Sequence, residues 1–391
     1  MIYIVDYTIF AYCLQCIFTY GSPSLQVSVP ENPPPKKINS FGNIMDNTTY
    51  ISFKNEPTYN LYPDIYLQEN ERHNGMKKAE SILYIFPQYL RGLWGQAAAC
   101  HERLEEIRLR VGKPVLVRLH EGEYFLDGQG QFTKRREAAR HMESAELTDI
   151  LNQICHDSVY AYEDEMKQGF LTVPGGHRIG IAGQAVVEED GRVRTVKHIA
   201  AMNIRIAHEI KGAADKVLPS LYEEGRLCNT LIISPPGCGK TTLLRDIIRQ
   251  VSDGNGCGSG KTVGVVDERS EIAGSYMGVP QNDVGIRTDV LDACPKIHGM
   301  MMLIRSMAPE VVAIDELGSA EDVEAMRRVS ACGCGLLATV HGSTLEELKK
   351  KEYMDGMLKE GLFSRYVVLD KKDGCPRVRA VYKKEMDLCC G

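Results

Sequence analysis

A chain of 391 residues, 43% hydrophobic and 25% charged, has the balance of an ordinary globular protein of two or three domains. Those proportions exclude a mainly disordered, collagenous or polytopic membrane chain. The formal net charge of −6 supplies no global basic field, so no nucleic-acid partner is expected.

Residues 1–75 differ in character from the rest of the chain. They hold 8 of the 18 tyrosines but only 11 charged residues, and no Lys or Arg before Lys36. Prolines cluster at Pro30, Pro33, Pro34 and Pro35, and neither helical nor strand periodicity persists. Residues 1–20 are the one stretch apolar enough to suggest a membrane anchor. Asp6 interrupts it and no positive residue flanks it, which disfavours an anchor. The expectation is a poorly structured extension, with translation beginning at Met76.

From residue 76 to about 210 the pattern is that of a smaller α+β domain. A short amphipathic helix over 79–90 is interrupted at Pro87. Alternating apolar and basic residues predict a strand at 107–111, and 115–119 reads as the next, with Gly112-Lys113-Pro114 between them. A helix comes next at 146–154. Strands at 169–173 and 178–182 are joined through Pro174-Gly175-Gly176. An antiparallel sheet is expected, with residues 212–225 as the link onward.

Residues 211–391 read as a second, α/β domain. Short apolar runs at 230–233, 262–266, 311–314 and 336–340 alternate with helical stretches at 241–251, 323–329 and 345–350. Strands this uniformly apolar are buried on both faces, which predicts a parallel sheet wrapped by helices.

The first of those strands runs into Ser234-Pro235-Pro236-Gly237-Cys238-Gly239-Lys240-Thr241-Thr242. A glycine-rich turn between strand and helix lets backbone N–H groups converge on phosphate oxygens, helped by the helix N-terminus. Lys240 is placed to reach the β- and γ-phosphates of ATP, and the Thr241 hydroxyl to join a Mg²⁺ shell. Ser234 departs from the usual pattern, where a glycine stands first.

About 75 residues downstream, Val311-Val312-Ala313-Ile314-Asp315-Glu316 is an apolar strand ending in two carboxylates. Strand alternation sends them in different directions and suits separate roles, with Asp315 for Mg²⁺ and Glu316 to orient and deprotonate an attacking water. Water as acceptor makes the reaction hydrolysis. The strand at 336–340 delivers His341, a candidate γ-phosphate sensor, with Thr339 a weaker one. A further acidic strand end, Asp267-Glu268-Arg269-Ser270-Glu271, offers Glu268 to the metal, with Asp267 and Glu271 as other choices. Arg287 and Arg305 are read as phosphate or subunit contacts, or as neither.

The run from Asp267 to Gly274, Gly278-Val279-Pro280-Gln281-Asn282-Asp283-Val284-Gly285, Asp315-Glu316-Leu317-Gly318 and Ala338-Thr339-Val340-His341-Gly342 together resemble the stage III sporulation protein AA family. That family stands among the secretion and pilus-motor ATPases. The resemblance covers residue 76 to the C-terminus. It implies a RecA-like P-loop ATPase domain with a parallel sheet, preceded by the smaller α+β domain. It also implies an N-terminal-domain arginine against the γ-phosphate, matched by Arg205 and less well by Arg178. A homo-hexamer at the cytoplasmic face of a membrane is implied too, on the mother-cell side of a sporulation secretion channel and in contact with its membrane proteins.

Thirteen cysteines, an odd number, cannot all pair, and one of them, Cys238, lies in the phosphate loop. Reduced thiols in a cytosolic compartment are expected. Cys13 and Cys16 lack a second pair at zinc spacing, so metal ligation is disfavoured. Two other readings stay open: a nucleic-acid translocase with the same core, and a nucleotide-binding regulator with little turnover.

Overall fold

The computed structural model describes residues 78–156, 162–189, 191–372, 374–383 and 388–390, all within the unit Leu67–Gly391. The expectations for residues 1–75 lie outside them.

Seven antiparallel strands form the first sheet: β1 (Leu104–Arg110), β2 (Leu116–Leu119), β3 (Gly122–Leu126), β4 (Phe132–Thr133), β5 (Phe170–Val173), β6 (His177–Val187) and β7 (Val193–Arg205). Their order is β4-β3-β2-β1-β7-β6-β5. A bulge between Leu104 and Glu106 inserts one residue, so Leu104 and Ile107 are both buried although they are an odd step apart. Four helices, α1 (Lys78–Tyr84), α2 (Gly95–Ala99), α3 (Ser144–Ile154) and α4 (Glu163–Gln168), bury Ile82, Ala97, Leu147, Ile150 and Met166 with the sheet's Ile107, Leu109, Ile179 and Ile204. The expected break at Pro87 is present: α1 stops at Tyr84, and a 3-10 turn, Gln88–Trp94, lets Phe86 stack on Trp94 with centroids 4.1 Å apart.

Because side chains alternate along a strand, burying Ile179, Met202 and Ile204 turns Arg178, Asn203 and Arg205 to the opposite face. The register sets Arg178 opposite Arg205, and Arg205 opposite Glu106 on its other side.

Residues 212–225 are more than a link. Ala214, Val217, Leu218 and Leu221 are buried, and the Ala214 N–H donates to Asp246 Oδ2 at 2.8 Å. A small ribbon, β8 (Tyr222–Glu223) and β9 (Arg226–Leu227), leads into the second sheet.

That sheet holds β10 (Thr230–Ser234), β11 (Val263–Asp267), β12 (Thr288–Asp292), β13 (Val311–Glu316), β14 (Gly335–His341), β15 (Arg365–Lys372), β16 (Cys375–Lys383) and β17 (Leu388–Cys390). The order is β12-β11-β13-β14-β10-β15-β16-β17. From β12 to β15 all neighbours are parallel, as expected, and β16 and β17 add an antiparallel edge. Helix α5 (Lys240–Asp253) covers one face through Leu243, Leu244, Ile247 and Ile248. Helices α6 (Lys296–Met307), α7 (Ala320–Ala331) and α9 (Glu352–Glu360) cover the other through Met300, Leu303, Met326 and Met357; α8 (Leu345–Leu348) is a single turn, shorter than expected. Since β10 connects through α5 to β11, with β13 and β14 between them in the sheet, a crevice opens at the carboxyl end of β10. No helix among the described residues is long and apolar enough to cross a membrane.

Candidate active site

Strand β10 is fully buried to Ser234 and gives way to the glycine-rich loop at the crevice. Ser234 fits without a glycine's freedom because it is still strand: its hydroxyl donates to the Pro235 carbonyl at 2.8 Å. Gly237 and Gly239 hold φ of 69° and 80°, the left-handed region that side chains disfavour. Helix α5 then starts at Lys240 with no side chain capping it, so its first N–H groups remain available to an anion. Cys238 is buried, with Sγ 3.8 Å from the Pro236 carbonyl; Pro235, Pro236 and Thr242 complete the loop and first turn.

Around this loop the parallel register gathers three candidates. Ser234 of β10 lies beside His341 of β14. A register shift between Ile314 and Glu316 makes Asp315 the extra residue of β13. Consequently Asp315 Oδ1 lies 3.5 Å from Thr241 Oγ1, while Glu316 Oε2 lies 3.6 Å from Lys240 Nζ and 3.3 Å from His341 Nε2. The His341 Nδ1 is buried without a partner. Burial pushes the Asp315 carboxyl up to about 6; Lys240 opposes this, and the nearby carboxylates of Glu271, Asp267 and Glu316 add to it. Thr241 and Asp315 present a hydroxyl and a carboxylate side by side, the hard oxygen donors that Mg²⁺ prefers. Thr339 plays a supporting part, buried and donating its hydroxyl to the Asp315 carbonyl at 2.5 Å.

The acidic strand end is organised differently from the expectation. Asp267 is wholly buried, and its carboxylate accepts the N–H groups of Glu271, Ile272 and Ala273 at 2.8, 3.0 and 2.8 Å. It therefore shapes the loop, and burial raises its carboxyl despite those three bonds. Glu268 is turned away, to Lys296 of α6 at 2.8 Å, and is not brought to Thr241 or Asp315. Glu271 faces the crevice instead. Arg287 is at the far end of α5, donating to the Ser252 carbonyl at 2.9 Å, and is remote from the loop; Arg305 lies in the last turn of α6.

Both candidate arginines, Arg178 of β6 and Arg205 of β7, reach the crevice. A cavity of about 250 Å³ is lined by Arg178, Arg205, Thr241, Thr242, Arg245 and Glu271. Arg178 pairs with Glu271 at 3.0 Å and lies over the Phe170 ring at 3.9 Å, while Arg205 is exposed. Arg245, which sequence reasoning missed, runs from α5 to the carbonyls of Ile272 and Glu271 at 2.5 and 2.7 Å. Its only sequence signal is a basic residue set between the apolar pairs Leu243-Leu244 and Ile247-Ile248.

Such a loop, with paired carboxylates and a histidine at adjacent strand ends, is where relatives are informative. The family model described as sporulation stage III, protein AA, matches residues 76–388. The chain belongs to that family. Stage III sporulation protein AA of Bacillus subtilis (strain 168) is 42% identical over 282 residues, covering 72% of this chain and 87% of that one. Among solved structures, the Legionella pneumophila ATPase DotB aligns with a TM-score of 0.49 and 16% identity, over 76% of this chain and 81% of that one. The pilus retraction motor PilT with bound ADP aligns with a TM-score of 0.49 and 15% identity, over 74% and 81%. Within the sporulation stage III protein AA family, then, this chain carries its glycine-rich loop between an antiparallel arginine-bearing sheet and an acidic strand end.

Proposed function

We propose that the chain binds MgATP at this crevice, hydrolyses it, and turns the lost γ-phosphate contacts into movement of the first sheet against the second. One observation carries the reading: the Glu316 carboxylate stands within 3.6 Å of both Lys240 and His341 at the phosphate loop. In that arrangement Lys240 binds the β- and γ-phosphates, and Glu316, released from Lys240 when the phosphates arrive, orients water and takes its proton. Thr241 and Asp315 would hold Mg²⁺, which neutralises charge developing on the phosphate oxygens. His341 reports the γ-phosphate to β14. Arg205 and Arg178 meet the terminal phosphate from the first sheet, so its loss loosens their hold.

In keeping with the family, we infer a homo-hexameric motor, cytoplasmic and peripheral to a membrane, energising a mother cell–forespore secretion channel through that channel's membrane proteins. The acidic net charge supports a motor acting on protein rather than on nucleic acid. Phosphate release is the test. Glu316→Gln is expected to keep ATP binding and stop turnover, and Lys240→Ala to abolish binding. Equal ATP affinity in wild type and Lys240→Ala would overturn the loop assignment; strong stimulation by DNA or RNA would favour a translocase. Light scattering with a nonhydrolysable ATP analogue should show a ring, and a persistent monomer that releases no phosphate would make the protein a regulator.

A further inference from the structure

The β15–β16 hairpin approaches one side of the glycine-rich loop, whose Pro236 and Gly237 stay exposed. β15 runs parallel to β10 with Val368 beside Ile233, so its last residues extend alongside the start of the loop. There Lys371 Nζ lies 3.4 Å from where a Cβ on Gly237 would stand, and Pro376 Cβ lies 3.4 Å from the corresponding point on Gly239. The hairpin thus rests on both left-handed glycines, and a side chain at either would meet it.

The charge on this hairpin is unevenly compensated. Asp370, next to Lys371 in the chain, is taken by Arg377, whose Nε and Nη2 donate to its two oxygens at 2.7 and 3.1 Å. Lys371 has no ion-pair partner among the described residues. A lysine at a strand end ordinarily extends its head group into water. Lys371 is itself exposed, but its head group lies beside a loop whose amides are arranged for an anion, and no carboxylate among the described residues pairs with it. Lys240, by contrast, already has Glu316.

We propose that Lys371 is a second polyphosphate-binding cation of the site, delivered by the C-terminal hairpin. The proposal rests on the ATP-binding reading and names a residue that reading does not use. With Lys240 engaged by Glu316 before ATP arrives, Lys371 supplies a free charge on the hairpin side of the loop, distinct from Arg205 on the first sheet, that helps draw the polyphosphate to the loop. It then remains as a charge-assisted donor to the bound chain of phosphates.

Equilibrium binding of a fluorescent ATP analogue and of the matching AMP analogue tests this in the full chain, for Lys371→Ala, Lys371→Arg and Lys240→Ala. Lys371→Ala should weaken ATP binding roughly tenfold at low salt, and AMP binding much less. The difference from wild type should shrink as salt is raised. Lys371→Arg should stay within about threefold of wild type, and the ligand-free melting temperature should be unchanged in both. If Lys240→Ala loses ATP while Lys371→Ala binds it as wild type does, the Lys371 assignment is overturned and the ATP site survives. If Lys240→Ala binds ATP normally, the ATP site itself fails. A Lys371→Ala protein whose ATP and AMP affinities fall equally, or whose melting temperature falls with them, makes the lysine a brace for the loop and also overturns the assignment.

Discussion

Arg178 and Arg205 are direct cross-strand partners on β6 and β7, two like charges brought side by side on the face that lines the crevice. Like charges directly opposite each other in a sheet are unfavourable by a few tenths to about 1 kcal/mol. Glu271 and Glu106 offset part of that, but Arg205 keeps an exposed guanidinium at the cavity shared with Thr241 and Thr242. Such a pair is well suited to clamp an anion arriving between the two sheets. Arg205→Ala is therefore expected to change ligand-free stability by less than about 1 kcal/mol, while phosphate release falls more than about tenfold. Arg178→Ala should lose activity to a similar degree. Denaturant midpoints and steady-state turnover, measured together, check this; an Arg205→Ala enzyme with wild-type turnover would remove that residue from the mechanism.

Glu268 and Glu271 separate the sequence reading from the fold. Sequence order makes them equivalent, three residues apart after a strand. In the fold Glu268 is paired with Lys296, and Glu271 faces the crevice against Arg178. Glu268→Gln should leave turnover within about threefold of wild type and lose only a partly exposed ion pair, about 1 kcal/mol or less. Glu271→Gln should shift the Mg²⁺ or ATP dependence of turnover, since it frees Arg178 and removes a negative charge near Asp315. A Mg²⁺ titration of both variants distinguishes them; the opposite ranking would restore the metal role to Glu268.

These two glutamates also show what a sequence can carry. Uniformly apolar strands and a glycine-rich turn are local signals, so β10, β11, β13 and β14, and the gathering of Lys240, Thr241, Asp315, Glu316 and His341 at one end of them, are legible in one dimension. The direction of Glu268 is not, because it depends on Asp267 turning its carboxylate back onto three amides. Nor is β12 legible, a half-buried edge strand in a polar stretch, nor the hairpin over the loop, where Lys371 meets Gly237 only through the register of β15 on β10. Residues 212–225 begin and end in glycine and carry charges, which reads as a linker, yet Ala214, Val217, Leu218 and Leu221, spaced i, i+3, i+4 and i+7, are all buried, a pattern the flanking glycines mask.

Ser234 stands where a glycine is usual, and its environment gives a reason for it. The residue is buried within β10, beside His341, with its hydroxyl satisfied by the Pro235 carbonyl. Ser234→Gly gains no conformation the strand needs and adds chain entropy to the unfolded state. It should cost about 0.5–1 kcal/mol in stability, with ATP affinity within about threefold of wild type. A large gain in affinity on Ser234→Gly would mean that the serine distorts the loop.

His177 ties stability to pH at the junction of the two sheets. Its ring is buried; Nδ1 accepts the Ala207 N–H at 3.0 Å, and Nε2 is 2.9 Å from Ser81 Oγ. Ser81 donates its own hydroxyl hydrogen to the Lys78 carbonyl at 2.8 Å, so Nε2 carries the ring hydrogen and the neutral tautomer satisfies every partner. A second proton would have to sit on Nδ1, against the Ala207 N–H. Burial above all, with the nearby positive Lys78, pushes the ring down to about 3 from an ordinary 6.5. Between those values the unfolded chain binds a proton that the folded chain refuses. Stability contributed by this group is therefore complete above about 6.5, falls by about 1.4 kcal/mol per pH unit as pH drops through that window, and levels off below about 3. His177→Gln should be less stable at about pH 7.5 by about 1–3 kcal/mol, because the Ala207 N–H loses its acceptor, but its stability should fall less steeply between about pH 6.5 and pH 5. Denaturant midpoints of both proteins across that range check the sign; parallel slopes would show that the acid sensitivity arises elsewhere.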